Sequence, residues 1–352
     1  VDTQFIKTNI NENWSEDITS IEMLKSDTIC NGILTNLTSR ISKKLIGFIP
    51  VTINSDKEIP KKILLKSKPL DSELMKGLHF MASNINVELA DKLLVHKENL
   101  EYKNSHLKEL DIYKYLKSID YQFMPDYYGH IINEEREIYL LIFEHLDINE
   151  MQIINSENET EKWTNELILA SFQSIHVLHK AFLNGTDKSS LKYIPEFDPI
   201  QSLSFYLHSN QINRKDYADW EMDHYFDEID KVIESWKDKP PIKKSVHTLI
   251  HNDFNSRNVA ISKNGQACIY DWELAMINIP QRDIFEFLAF SLDIDFKKER
   301  LFQLIKRHFE LAKEINESEY SWNDYLDDFI ICGYEFLITR ANFYLAGSTL
   351  VN

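Results

Sequence analysis

Leu249–Asp271 reads LIHNDFNSRNVAISKNGQACIYD, and its polar residues are spaced for chemistry. His251 and Asp253 stand one residue apart, Asn258 follows five residues after the Asp, and Asp271 closes the segment. Asn264-Gly265, between two short apolar runs, is a strong hairpin signal, because the tight turn needs positive φ. The hairpin returns the chain so that Asn258, before its first strand, meets Asp271, after its second. Asp253, in the preceding loop, faces both. Three oxygen-bearing side chains converging in this way suit a Mg²⁺–nucleotide site, since Mg²⁺ takes hard oxygen ligands and keeps substrate phosphates in its shell. Any one of these residues alone would read as a turn cap. The combination carries the chemistry.

The elements that must position this segment follow from periodicity. Arg40–Phe48, Ile49–Ile53, Lys62–Lys66, Asp126–Ile132 and Glu137–Phe143 have strand character, with a turn-like Asn-Ser-Asp at 54–56. In Asn104–Ser118, Leu107, Leu110, Tyr113 and Leu116 fall on one face of an amphipathic helix. Beyond Glu144 the pattern is helical over Thr160–Leu183, Ser202–Trp236, Asp283–Leu292 and Phe302–Phe343, interrupted by the strand-rich Thr248–Asp271. The expectation is an α+β chain in two lobes: a small β-rich one over residues 1–144 and a larger α-rich one over 145–352. The length of 352 residues also favours two units over one core.

His-x-Asp, an Asn five residues on, and a short hairpin ending in Asp form the arrangement of the protein-kinase-like superfamily. Within it, HNDFNSRN, IYDWELA and IPQRDIFEFLAF resemble the aminoglycoside phosphotransferase and choline kinase family, small-molecule kinases with the protein-kinase fold. Asp271-Trp272-Glu273 stands where protein kinases typically carry Asp-Phe-Gly. Arg282-Asp283 also fits, with an Asp opening the next helix. The resemblance spans about residues 30 to 345 and is specific in 249–290.

What the resemblance implies is an ATP- and Mg²⁺-dependent transfer of phosphate to the hydroxyl of a small molecule. Asp253 would accept or orient the hydroxyl proton, Asn258 and Asp271 would hold the metal, and His251 would buttress the loop. Arg257 would balance the carboxylates or meet the γ-phosphate. The family needs a strand lysine on the α/β-phosphates, paired with a helix glutamate. Lys66 ends the apolar run Ile63-Leu64-Leu65, with Lys62 and Lys68 as rivals on the same face. Glu109 has the following apolar residue, Leu116, at the family's spacing, with Glu101 and Glu98 as alternatives. The 43 residues from Lys66 to Glu109 exceed the family's usual gap, so residues 70–99 read as an inserted helix or lid, shaping the acceptor pocket, making a dimer contact or inert.

The nucleotide-covering loop is the weakest match. Only Gly32 is available, and Thr38-Ser39-Arg40-Ile41 resembles the family's Ser/Thr version, in which Thr38 and Ser39 would donate to phosphate; an ordinary polar turn is the plain alternative. Glu144 and Leu146, at the expected inter-lobe hinge, would be neighbours of the adenine. His176 and His179 lie three apart without an accompanying acid or Cys motif and read as packing histidines. Phe205, Tyr206, Tyr217, Trp220, Tyr225, Phe226 and Trp236 recur among Asp216, Asp219, Glu221, Asp223, Asp227, Glu228 and Asp230. That is either an acidic aromatic site for an amine or an amphipathic helix pair.

Composition narrows the partners. A net charge of −17 argues against nucleic acid and anionic membrane, and tilts the acceptor toward a cationic amine or aminoglycoside-like compound. The longest apolar stretches, such as Tyr139–Phe143, fall far short of the ~20 residues of a membrane span. Val1 to Ser20 has no apolar core of the secretory kind. Cys30, Cys268 and Cys332 offer no zinc or disulfide spacing, which fits a cytoplasmic protein. Arg340–Asn352 stops abruptly after a helix, as in a chain that continues or was trimmed. Two rival readings are a catalytically silent kinase-like binding module and a protein kinase; the second lacks an Ala-Pro-Glu segment after Asp271.

Overall fold

Alternation along Ile138–Glu144 dictates two layers. Leu140 and Ile142 go to one side of the strand and Tyr139, Leu141 and Phe143 to the other, all buried. A strand buried on both faces must lie inside a sheet with packing on each side. The computed structural model describes residues 3–11, 17–24, 33–42, 44–56, 60–147, 149–154, 159–184, 188–218 and 221–348. In it, α1 (Thr3–Asn11) precedes β1 (Ile18–Met23), and α2 (Ile33–Ser42) leads into β2 (Gly47–Ser55) and β3 (Lys61–Ser67). Two helices, α3 (Asp71–Ile85) and α4 (Val87–His96), come before α5 (Ser105–Ser118), β4 (Tyr127–Asn133) and β5 (Ile138–Glu144). The sheet order is β1-β2-β3-β5-β4, antiparallel throughout.

The sheet departs from the expected strands at its start. Arg40–Phe48 is not a strand: α2 continues to Ser42, and one strand, β2, takes in Phe48 together with Ile49–Ile53. Thr38 is buried against α3, where a methyl group on Gly77 would come within 3.0 Å of its Oγ1, so helix-on-helix packing claims the segment. The missing strand is β1, whose few buried residues gave no alternation to read. α5 also differs from a one-faced helix. It is buried nearly all round, because the sheet covers one side and the turn at Trp272–Leu274 the other.

The larger, α-rich lobe begins with β6 (Met151–Ile153) and α6 (Asn165–Leu183), the latter capped by Thr164. The expected Ser202–Trp236 helix is two, α7 (Leu203–Asp216) and α8 (Asp223–Asp238). Next come β7 (Thr248–Ile250), the hairpin β8 (Val259–Ser262) and β9 (Ala267–Ile269), β10 (Met276–Asn278) and α9 (Gln281–Ser291). Phe302–Phe343 divides into parts of α10 (Lys298–Ala312), α11 (Trp322–Phe336), a π-helical turn at Leu337–Ala341, and α12 (Asn342–Ser348). The fold is the expected α+β bilobal, protein-kinase-like one.

The helices α3 and α4 are not a loose appendage. Leu74, Leu78, Leu89, Leu93 and Tyr102 share one apolar core with Phe205, Tyr206, Ile229, Ile233 and Ile338 of the larger lobe. The aromatics of α7 and α8 are therefore largely consumed in packing, while Asp227 and Asp230 pair with Arg214 at 2.7 and 2.9 Å. This is the amphipathic pair; Asp219 and Trp220 lie outside the described residues. His176 and His179 are buried on α6, next to His308 of α10. No helix among the described residues is long and apolar enough to cross a membrane.

Candidate active site

The hairpin register sets the site. Val259 pairs with Ile269, and Tyr270 N donates to Asn258 O at 3.1 Å, so Asn258 lies across from the residue preceding Asp271. Gly265 supplies the positive φ of the turn, at 76°. Asp271 adopts φ 67°, a left-handed conformation uncommon outside glycine, and swings the chain from β9 toward α5. There its N–H meets Tyr113 Oη at 3.3 Å.

Period-two alternation sends Lys66 to the face of β3 that looks at α5. Its Nζ lies 2.7 Å from Glu109 Oε1 and 2.5 Å from Asp271 Oδ1, so the lysine bridges the helix and the hairpin. Lys68, considered only as a rival, joins the same group: its Nζ is 2.8 Å from Glu109 Oε2 and pairs with Glu273. Glu109, fully buried, is thus shared by two lysines. Burial works against the charge on Lys66, but Asp271, Glu109 and Glu273 outweigh it and raise the ammonium well above its ordinary value. Burial likewise pushes the Asp271 carboxyl up, and Lys66 and Lys68 overcome it, holding the carboxyl at about 2. Glu109, Asp271 and Glu273 place carboxylate oxygens within 4.8 Å of one another, a donor set that fits a hard divalent cation.

Asp253 sits in a contrasting environment. Asn255 Nδ2 donates to its Oδ1 at 3.0 Å, and Asn258 Nδ2 to its Oδ2 at 2.8 Å, fixing the carboxyl plane. Burial drives this carboxyl well above the ordinary range. Glu286 and Asp271 push the same way, and Arg340 and Arg257 oppose them. His251 accepts from Asp253 N through Nδ1 at 3.2 Å and faces Tyr270 O through Nε2 at 3.0 Å, which fits a neutral ring protonated on Nε2. Burial lowers its affinity for a second proton, and Trp272 covers it at 4.3 Å between ring centres. Asp283 anchors the loop from below, accepting from the N–H groups of His251 and Asn252 at 2.9 and 2.8 Å.

Other expected residues lie further from this centre. Arg257 is exposed; it donates to Tyr344 Oη at 3.1 Å and rests against the rings of Phe290 and Tyr344. Glu144 accepts from Asp126 N at 3.0 Å and so ties the end of β5 to the start of β4, while Leu146 is half-buried in the linker beyond. Thr38 and Ser39 lie on α2 rather than in a loop over the phosphates, and Ser39 Oγ donates to Asn36 O at 2.8 Å. Gly32 lies outside the described residues. Sequence reasoning missed the roles of Glu273, Arg340 and Glu101. For Glu273 a signal existed: as Lys68 follows Lys66 by two positions, Glu273 follows Asp271 by two.

Residues 82–309 match the profile of a family described as "Phosphotransferase enzyme family". The chain belongs to that family. Its solved structural neighbours include the GDP complex of an aminoglycoside 2'-phosphotransferase-IIIa mutant: 11% identity, 99% of this chain and 94% of that chain covered, TM-score 0.52. Another is the GDP and kanamycin complex of APH(2")-IIia, at 12% identity, 99% and 97% coverage and TM-score 0.51. Choline kinase LicA from Streptococcus pneumoniae is similar at 14% identity, 99% and 92% coverage and TM-score 0.48. No curated protein matches the chain. At these identities the two aminoglycoside phosphotransferase complexes speak to the fold alone, and family membership makes the chain a phosphotransferase.

Proposed function

We propose that this phosphotransferase moves the γ-phosphate of ATP to a hydroxyl of a small molecule, with Mg²⁺ as the metal. The observation that supports it most is Lys66 reaching Glu109 and Asp271 together, which joins the nucleotide side of the sheet to the hairpin. Lys66, steadied by Glu109, would hold the α/β-phosphates, and Glu144 and Leu146 would border the adenine. Asp271 and Asn258 would be the metal's protein ligands, with Glu273 close enough to Asp271 to join it. The bound metal would offset charge developing on the transferred phosphoryl group. Asp253, aimed by Asn255 and Asn258, would take or orient the acceptor's proton, and burial gives its carboxyl a higher proton affinity than an ordinary aspartate. His251 would hold the loop, and Arg257 would close the site against Tyr344. The residue span 1–144 would form the nucleotide lobe and 145–352 the catalytic and acceptor lobe, in the cytoplasm.

The net charge of −17 favours an amine-bearing alcohol as acceptor. The test is coupled ADP or GDP release with Mg²⁺ and either nucleotide, against a panel of aminoglycosides, choline, amino alcohols and sugars. Turnover that disappears in Asp253→Asn is the expected result. Neither turnover nor nucleotide binding in the wild-type chain would overturn the proposal.

A further inference from the structure

Asn252, between His251 and Asp253, is fully buried and held at φ 58°, a conformation asparagine tolerates better than most residues. Its backbone and side chain are clamped by four partners. Asp283 accepts its N–H, and Leu274 O accepts its Nδ2 at 3.2 Å. The other two partners come from distant places. Glu101 Oε2 also accepts from Asn252 Nδ2, at 3.0 Å, and Arg340 Nη2 donates to Asn252 O at 2.7 Å.

Glu101 and Arg340 meet each other at 3.2 Å, with side chains only 8% and 6% exposed, so they form a buried ion pair wrapped around Asn252. Arg340 Nη1 then reaches to 3.9 Å from Asp253 Oδ1. Both partners have unusual backbone support. Arg340 stands in the π-helical turn Leu337–Ala341, a rare geometry often found at functional sites. Glu101 lies just beyond the inserted segment, Lys108 donates to its carbonyl, and the neighbouring Tyr102 packs edge-on to Phe343 of α12. A buried ion pair is a poor net stabiliser, because desolvation offsets the attraction. Its value here lies in geometry.

We propose that Glu101 and Arg340 are positioning residues for Asp253: their buried pair holds Asn252 in its left-handed conformation and makes docking of the inserted helices a condition of phosphoryl transfer. The proposal rests on the assignment of Asp253 given above. It also gives the insertion a role, since α3 and α4, seated on α7 and α8, deliver Glu101 to the catalytic loop.

The test uses the full chain with Glu101→Gln, Arg340→Met, Arg340→Lys and the double variant Glu101→Gln/Arg340→Met. Two quantities are read: ADP release with Mg·ATP and whichever acceptor of the panel is active, and amide hydrogen exchange of residues 249–259. In Arg340→Met, kcat should fall by roughly 10–100-fold with the KM for ATP within about twofold, and the loop amides should exchange about tenfold faster. Arg340→Lys should recover part of both losses, and the double variant should be no worse than the more damaged single one. Wild-type kcat and wild-type loop exchange in a folded Arg340→Met protein would overturn the proposal, as would additive losses in the double variant. If Arg340→Met does not fold, Glu101→Gln decides by the same criteria. A wild-type chain inactive with every acceptor counts against the phosphotransfer reading, and the exchange data then decide the clamp alone.

Discussion

Asp271 and Asp253 bracket one short stretch of chain, yet their surroundings oppose each other. Asp271 faces two lysines across the lobe boundary, and its carboxyl is held down at about 2 despite burial. Asp253 faces two asparagine amides, with the Arg340 guanidinium 3.9 Å away, and burial pushes it up. Under the proposed function, the same functional group would serve as a charged metal ligand on the nucleotide side and as a proton acceptor on the acceptor side. Carboxylates whose surroundings push their proton affinities apart are the usual sign of divided acid–base labour. The lysines that make the difference come from β3 and the residue just beyond it, and the amides come from the loop itself.

The largest test of that division is catalytic. Asp253→Asn should cut kcat by about 10³-fold or more while nucleotide affinity stays within a few fold, and Asp271→Asn should instead weaken Mg·nucleotide binding. Titration calorimetry with Mg·ATP analogues separates the two. Next, Lys66→Met should lower kcat/KM for ATP by about 10²-fold, and Lys68→Met by about tenfold or less, in steady-state kinetics. Breaking a buried ion pair costs about 3–5 kcal/mol, but each lysine leaves the other on Glu109, so each loss should fall short of that in urea unfolding.

Stability should also divide the two aspartates. Asp271's folded value lies below the ordinary 3.8, so its contribution is present above that pH and is lost as pH falls toward about 2. Asp271→Asn should cost about 1–2 kcal/mol at neutral pH, the shift being discounted because the side chain is 31% exposed. Asp253's folded value lies above the ordinary 3.8, so any stability it confers is full below that pH and lost as pH rises through the raised value. Asp253→Asn should leave Tm unchanged or raised at neutral pH. The smallest effect lies elsewhere. Burial, with His179, lowers His176 from 6.5 to about 4, so the unfolded chain takes up the proton first. Stability should decline as pH falls from 6.5 toward 4, and His176→Gln should flatten part of that decline in thermal melts.

Legibility followed sequence distance. The hairpin segment could be read because Asn264-Gly265 fixes the geometry locally and the register follows from it. Lys66 was marked by the end of an apolar run, and Glu109 by the resemblance, through the family's spacing to Leu116. Lys68 read as a rival to Lys66 rather than as its companion, because both lie on one face of the strand, and the structure uses both. Arg340 and Glu101 reach Asn252 across separations of 88 and 151 residues, and nothing in their local patterns marks the meeting. α2 was misread because the contact that buries Thr38, on Gly77, lies in a helix that sequence alone could not place.

The most direct measurement is ADP release with Mg·ATP across the acceptor panel, for wild type, Asp253→Asn and Asp271→Asn side by side. The division of labour predicts an acceptor-dependent signal in wild type, lost in Asp253→Asn with nucleotide binding retained, and lost in Asp271→Asn together with it. Full turnover in Asp253→Asn, or equal loss of nucleotide binding in both variants, would contradict it.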